Sequence, residues 1–155
     1  MASMVLLLLD SADSLLESRP RSSAFKRRAV STAYYAVFHA LAKSCADCLL
    51  PSSDGTTDEY SRVYRALEHG TLKSAFGREP LKDRLTLRKI GDLVVPLQSE
   101  RHRADYLPPL RNVFSQREAK KLVDQARQAV VEIEALSPED RRTLATYLLF
   151  RMRQS

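Results

Sequence analysis

Apolar residues recur along this chain at intervals of three and four, and stretches rich in Pro, Gly and Ser interrupt them. The first such run predicts a helix from about Ser3 to Glu17, ending before "SRPRSSA", where Pro20 disfavours helical backbone at the residue ahead of it. A second helix is predicted from Ser22 or Ser23 to about Leu49, roughly 40 Å long at 1.5 Å per residue. Val30, Ala33, Tyr34, Val37, Phe38, Leu41, Cys45 and Cys48 follow helical spacing and form its buried stripe. Arg28, Thr32, Tyr35 and His39 fall on the opposite side, so this helix has two faces with different chemistry.

"PSSDGTT" (51–57) is a loop by its turn residues. A third helix is expected after it, with Tyr60, Val63, Tyr64, Leu67 and Thr71 on one face and Arg62, Arg65 and His69 on the other. Gly77 and Pro80 close that segment, and a fourth helix is expected from about Leu81. Pro96 lacks a backbone donor, so a kink or restart is expected there. Beyond it Leu97, Arg101 and Ala104 share a face, and Arg101 stands one turn before Asp105. "YLPPL" ends the segment. "SQRE" (115–118) reads as a capping box for the next helix, whose stripe is Ala119, Leu122, Val123, Ala126, Val130 and Ile133. "SPED" (137–140) supplies a Ser cap, a first-turn Pro and two acids for a last helix ending in Arg151 and Arg153. No useful length alternates with period two. The expected fold is all-α: a single domain over residues 1–155, an up-and-down-like bundle of five to six helices with a long second helix.

Composition narrows the function classes. In 155 residues, 44% are hydrophobic and 28% charged, which is globular rather than disordered. The net charge of +6 and a pI near 9.5 permit an anionic partner. Cys45 and Cys48 have Cys-x-x-Cys spacing, but no second ligand pair accompanies them and they sit near the far end of their helix, so two core-facing residues are expected. The apolar run from Val5 to Leu9 is too short for a signal peptide or a membrane span, and the cytoplasm is the default location. There is no Gly-rich phosphate loop, acidic metal cluster or Ser-His-Asp arrangement, so no metal or other cofactor is expected.

Three stretches share a resemblance: "RRAVSTAYYAVFHAL" (27–41), "YRALEHG" (64–70) and "RHRADYLP" (101–108). In their order and spacing the chain resembles the HEPN superfamily, small helical bundles of toxin–antitoxin, antiviral and RNA-processing systems. The first looks like the family's long second helix with its Ala-Tyr-Tyr-x-x-Phe-His pattern. The third looks like the Arg-x-x-Ala-Asp-Tyr element of many members. The resemblance implies an RNA-directed protein, a homodimer, and a partner such as an antitoxin or a nucleotidyltransferase. Active members are metal-independent RNA endonucleases with an Arg followed by a His after four to six residues. Here His102 follows Arg101 directly, and Asp105 with Tyr106 stands where the His-bearing segment falls. Members without catalysis bind RNA or nucleotide, or dock a partner.

Arg62 and His69 have the family's spacing elsewhere in the chain, with Arg65 one helical turn before His69. On one helix face, His69 would move protons and Arg62 or Arg65 would stabilise phosphorane charge. The same three residues also fit a solvated helix face. Candidate nucleic-acid contacts are Arg28, Tyr35, His39, Arg101, Arg103 and Asp105. Tyr35 suits base stacking or a bond to a carboxylate, and His39 suits packing as well as chemistry. Arg101 with Asp105 reads either as an intrahelical ion pair or as a phosphate-binding guanidinium oriented by a carboxylate.

Overall fold

The computed structural model describes residues 3–109 and 112–151. All regular structure among them is helical: α1 (Met4–Ser18), α2 (Ser23–Leu49), α3 (Asp58–Tyr64), a 3-10 turn (His69–Thr71), α4 (Leu72–Phe76), α5 (Leu85–Tyr106), α6 (Gln116–Glu134) and α7 (Pro138–Leu149). The protein is all-α, with the long second helix the sequence predicts. No described helix is long and apolar enough to cross a membrane.

Side-chain caps begin α1, α2, α3, α6 and α7. The Ser3 hydroxyl accepts from the Leu6 N–H at 3.2 Å, and the Ser22 hydroxyl from the Phe25 N–H at 3.2 Å. Thr57 does the same for Tyr60 at 3.2 Å and Ser137 for Asp140 at 3.1 Å. Ser115 and Glu118 form the capping box reciprocally: the Glu118 N–H donates to Ser115 Oγ at 3.0 Å, and the Ser115 N–H to Glu118 Oε1 at 3.4 Å. Each cap satisfies a donor that the first helical turn leaves unpaired.

Three expectations are corrected, and the kink or restart expected at Pro96 loses its second alternative. The third helix does not run on to Gly77. It stops at Tyr64, Glu68 is extended (φ −113°, ψ 139°), and the 3-10 turn and α4 follow. Gly70 would sit inside a continuous helix at a cost of about 1 kcal/mol, and the break raises the helix count above five or six. The fourth helix starts at Leu85 rather than Leu81, because turns occupy 79–83 and a bend follows at 84. Pro96 does not restart the helix: α5 runs through it, with Val94 and Leu97 fully buried on either side. That burial offsets the lost backbone bond, a cost of about 3 kcal/mol. The last helix ends at Leu149, so Arg151 lies beyond it, and Arg153 lies outside the described residues.

The chain groups into two compact units, Met1–His39 with Leu93–Val131 and Ala40–Asp92 with Glu132–Ser155. In the first, Val5, Leu9, Ala12 and Leu16 of α1 are buried, as are Ala33, Tyr34 and Val37 of α2 and Ala119, Val123 and Ala126 of α6. Salt bridges tie α1 to α6: Arg127 reaches Asp10 at 2.8 Å and Asp13 at 2.6 Å, and Lys120 reaches Asp13 at 3.1 Å. In the second unit, Leu41 and Cys45 of α2 are buried, with Leu72, Leu87, Ile90 and Leu144. Burial pushes the Cys45 thiol up to about 12, which removes its nucleophilic form near neutrality and fits the core role expected of it.

Candidate functional site

The first unit carries a groove of about 720 Å³ along the start of α2. Arg28, Thr32 and Tyr35 line it from the face opposite the buried stripe, and Asp105 of α5 lines it too. Arg28 is exposed; Thr32 and Tyr35 are half-buried. The hydroxyls of Ser23 and Ser31 add two more polar groups. Three of these residues were expected contacts, and helical spacing alone brings Arg28 and Tyr35 together.

Arg27 was not among the expected contacts, and it builds one wall. Its Nε donates to the Ala104 carbonyl at 2.6 Å and its Nη1 to the Pro108 carbonyl at 3.2 Å, while Nη2 donates to the Leu107 carbonyl. The reason lies in "YLPP". The Ala104 carbonyl would ordinarily accept from the N–H four residues on, and Pro108 has none. A guanidinium with its donors in a fixed fork replaces that bond and satisfies two further carbonyls. The signal was present in the sequence: two prolines after a helix leave carbonyls open, and an unassigned arginine stood beside Arg28.

Arg101 and Asp105 take the ion-pair arrangement. Arg101 Nη1 lies 3.5 Å from Asp105 Oδ2, and the Arg101 side chain is only 10% exposed. Its guanidinium carbon sits 5.1 Å from the Tyr34 ring centre and 5.9 Å from that of Tyr35. Burial lowers the pKa of this guanidinium, but Tyr35, Tyr34 and Asp105 outweigh it and the net shift is upward. Arg101 therefore remains a cation, held against two aromatic faces. Its Nε is buried without a hydrogen-bond acceptor. Burial pushes the Tyr34 hydroxyl up to about 12, so Tyr34 is neutral beneath it. Arg101 thus acts on the groove through Tyr35 and Asp105 more than by its own surface.

The other candidates are placed differently. Arg103 pairs with Glu100 at 2.6 Å and lies over the Phe114 ring at 5.4 Å. His39 is half-buried with its ring 6.3 Å from Phe38, and burial lowers its pKa, which favours the neutral imidazole. Packing is the role this supports. In the second unit, Arg62 lies in the last turn of α3, Arg65 caps that helix, and His69 opens the 3-10 turn. The continuous helix face that would align Arg62, Arg65 and His69 is not formed, because Glu68 leaves the helical conformation. Arg62 and Arg65 are exposed and His69 half-buried.

Chemically, the groove offers an exposed guanidinium, several hydroxyls and an aromatic ring beside a carboxylate already engaged by arginine. That set suits an anion with an attached planar group. Among the described residues, no group of three or more His, Cys, Asp or Glu is placed to hold a metal ion. Comparison with protein-family models, with curated proteins and with solved structures finds no match to this chain.

Proposed function

We propose that this protein is an RNA-binding helical module of the HEPN kind, taking single-stranded RNA along the groove of the first unit. One observation carries this reading: Arg28, Thr32 and Tyr35 share that groove with Asp105, and Arg101 presses on Tyr35 from behind. Arg28 supplies phosphate binding, and Tyr35 offers a ring for a base. Proteins that take single strands without strong sequence preference combine these two elements. The net charge of +6 acts in the same direction. The HEPN resemblance adds a homodimer working in the cytoplasm beside an antitoxin or nucleotidyltransferase. Light scattering tests the dimer, and a stable monomer at micromolar concentration would end that part.

Fluorescence anisotropy with a short labelled RNA tests the binding. Arg28→Ala should weaken affinity and flatten the dependence of log K on log salt by about 0.7, the loss of one phosphate contact on a single strand. An affinity that ignores salt, or an unchanged Arg28 variant, would remove the groove from the function.

The catalytic version of the same reading assigns proton transfer to His69 with Arg62 or Arg65. The exposure of both arginines leaves them free to swing toward a phosphate, although no helix aligns them. Cleavage in chelator, giving 2′,3′-cyclic phosphate ends and lost in His69→Ala, would establish it. If wild type binds RNA and leaves it intact, the non-catalytic module stands.

A further inference from the structure

The second unit has a cavity of its own, about 410 Å³, which the RNA groove does not account for. The 3-10 turn, α4 and the end of α7 enclose it. Two large aromatic side chains line it and remain open to solvent: Phe150 is 61% exposed and Tyr147 46%. Arg78 and Arg151 line it as well, with Glu79 beside them. Exposed Phe and Tyr flanked by guanidinium groups form a stacking platform with phosphate contacts at its edge.

The hydrogen-bonding sense of the lining selects among planar ligands. Thr71 Oγ1 donates to the Glu68 carbonyl at 2.8 Å, and Ser74 Oγ donates to the Thr71 carbonyl at 3.1 Å. Their protons are committed, so toward the cavity both hydroxyls act as acceptors. Glu79 adds a carboxyl whose pKa the hydrogen bond to neighbouring Asp83 raises, and its remaining lone pairs are acceptors. Arg151 is steadied by Glu68 at 2.9 Å, which leaves further guanidinium N–H groups for a phosphate. The cavity therefore offers acceptors to a ring edge and donors to an anion.

We infer that this cavity binds one unpaired nucleotide of the RNA, stacked on Phe150 and Tyr147, and prefers a base with an exocyclic amino group. Cytosine, adenine and guanine present such donors, and a carboxylate accepts from the cytosine amino group in the same way elsewhere. Uracil has one ring N–H between two carbonyl oxygens and no amino group, so it gives these acceptors fewer donors and is disfavoured. The inference rests on the RNA reading for its ligand, but it concerns a different surface.

Backbone amide shifts of ¹⁵N-labelled full-length protein, titrated with CMP, AMP and UMP, test it. CMP and AMP should move Gly70, Ser74, Ala75 and Leu148, with UMP at least about fivefold weaker. Phe150→Ala should weaken CMP by about fivefold or more, the lower end of what a base–aromatic stack supplies. Because Phe150 is exposed, this variant should keep its fold, and an unchanged far-UV spectrum verifies that. Glu79→Gln should narrow the gap between CMP and UMP, since an amide both donates and accepts. Equal CMP and UMP affinities would overturn the inference, as would an unaffected Phe150→Ala. So would shifts at these amides that follow protein concentration without nucleotide, because they identify a protein contact. RNA bound through Arg28 with no CMP response here sinks the inference and keeps the function. A CMP response with no RNA held by the first unit does the reverse.

Discussion

The stretches 27–35 and 101–108 in the first unit and the stretch 58–84 in the second carry the same side chains, namely arginines, tyrosines and a histidine. They end in different states. In the first, uninterrupted helices fix the angular position of each residue, and two of the arginines are committed: Arg27 to three carbonyls, Arg101 to two rings and a carboxylate. In the second, two short helices and a 3-10 turn replace one long helix, and Arg62 and Arg65 project into solvent. Residue spacing predicts neighbours only where the helix that carries it persists.

The largest test of this contrast removes Arg27. Hydrogen bonds from a charged donor contribute roughly 1.5–3 kcal/mol each when partly buried, and they are not additive. Arg27→Ala should cost about 3 kcal/mol of unfolding free energy in urea, and Arg27→Lys should recover only part, because one ammonium cannot span the fork. Hydrogen exchange should accelerate first at the end of α5, leaving the amides of α3 near their original protection. Equal loss in α3 would show that the two stretches are not distinct in the way proposed.

The same contrast explains which features were legible in advance. Helix caps are local, so Ser115 and Ser137 could be assigned from four-residue patterns. The two faces of α2 followed from periodicity over 27 residues. The break after Tyr64 was not legible, because it depends on which residues the turn buries: Leu67 and Leu72 reach the core from either side of an extended Glu68. Of the kink or restart expected at Pro96, the restart does not occur, because burial of Val94 and Leu97 outweighs a lost backbone bond. The role of Arg27 needed a partner 77 residues away, which spacing along one helix cannot supply.

A middle-sized effect belongs to the second unit. A Cβ on Gly91 would lie 2.9 Å from Phe76 Cδ1 and 3.0 Å from its Cγ, and Phe76 is buried. Alanine would gain about 1 kcal/mol of helix propensity, but overpacking a buried ring costs roughly 1–3 kcal/mol. Gly91→Ala should therefore lower stability by about 1 kcal/mol. Adding Phe76→Leu should make the Gly91→Ala change less costly than it is alone. Strict additivity of the two would mean that the close approach of α4 to α5 is not what requires glycine.

The smallest expected effect returns to the first unit and depends on pH. Burial raises the pKa of Asp13, but hydrogen bonds from Arg127 and Lys120, with the charges of both, outweigh it and leave the carboxyl below its usual 3.8. A carboxyl whose folded pKa is depressed adds stability that is fully present above its unfolded pKa. That stability is lost as pH falls through the folded value. Asp13→Asn should accordingly cost less than about 1 kcal/mol at pH 7, with solvent screening of the exposed partner Lys120 and the half-exposed Arg127 keeping the figure small. The difference between variant and wild type should hold down to about pH 5, shrink below pH 3.8 and close at lower pH still. It should also shrink in about 1 M salt, where screening reaches within about 3 Å. A gap that stays constant from pH 7 to pH 2 would mean that asparagine lost shape or packing rather than charge, and the fastening of α1 to α6 would then need another cause.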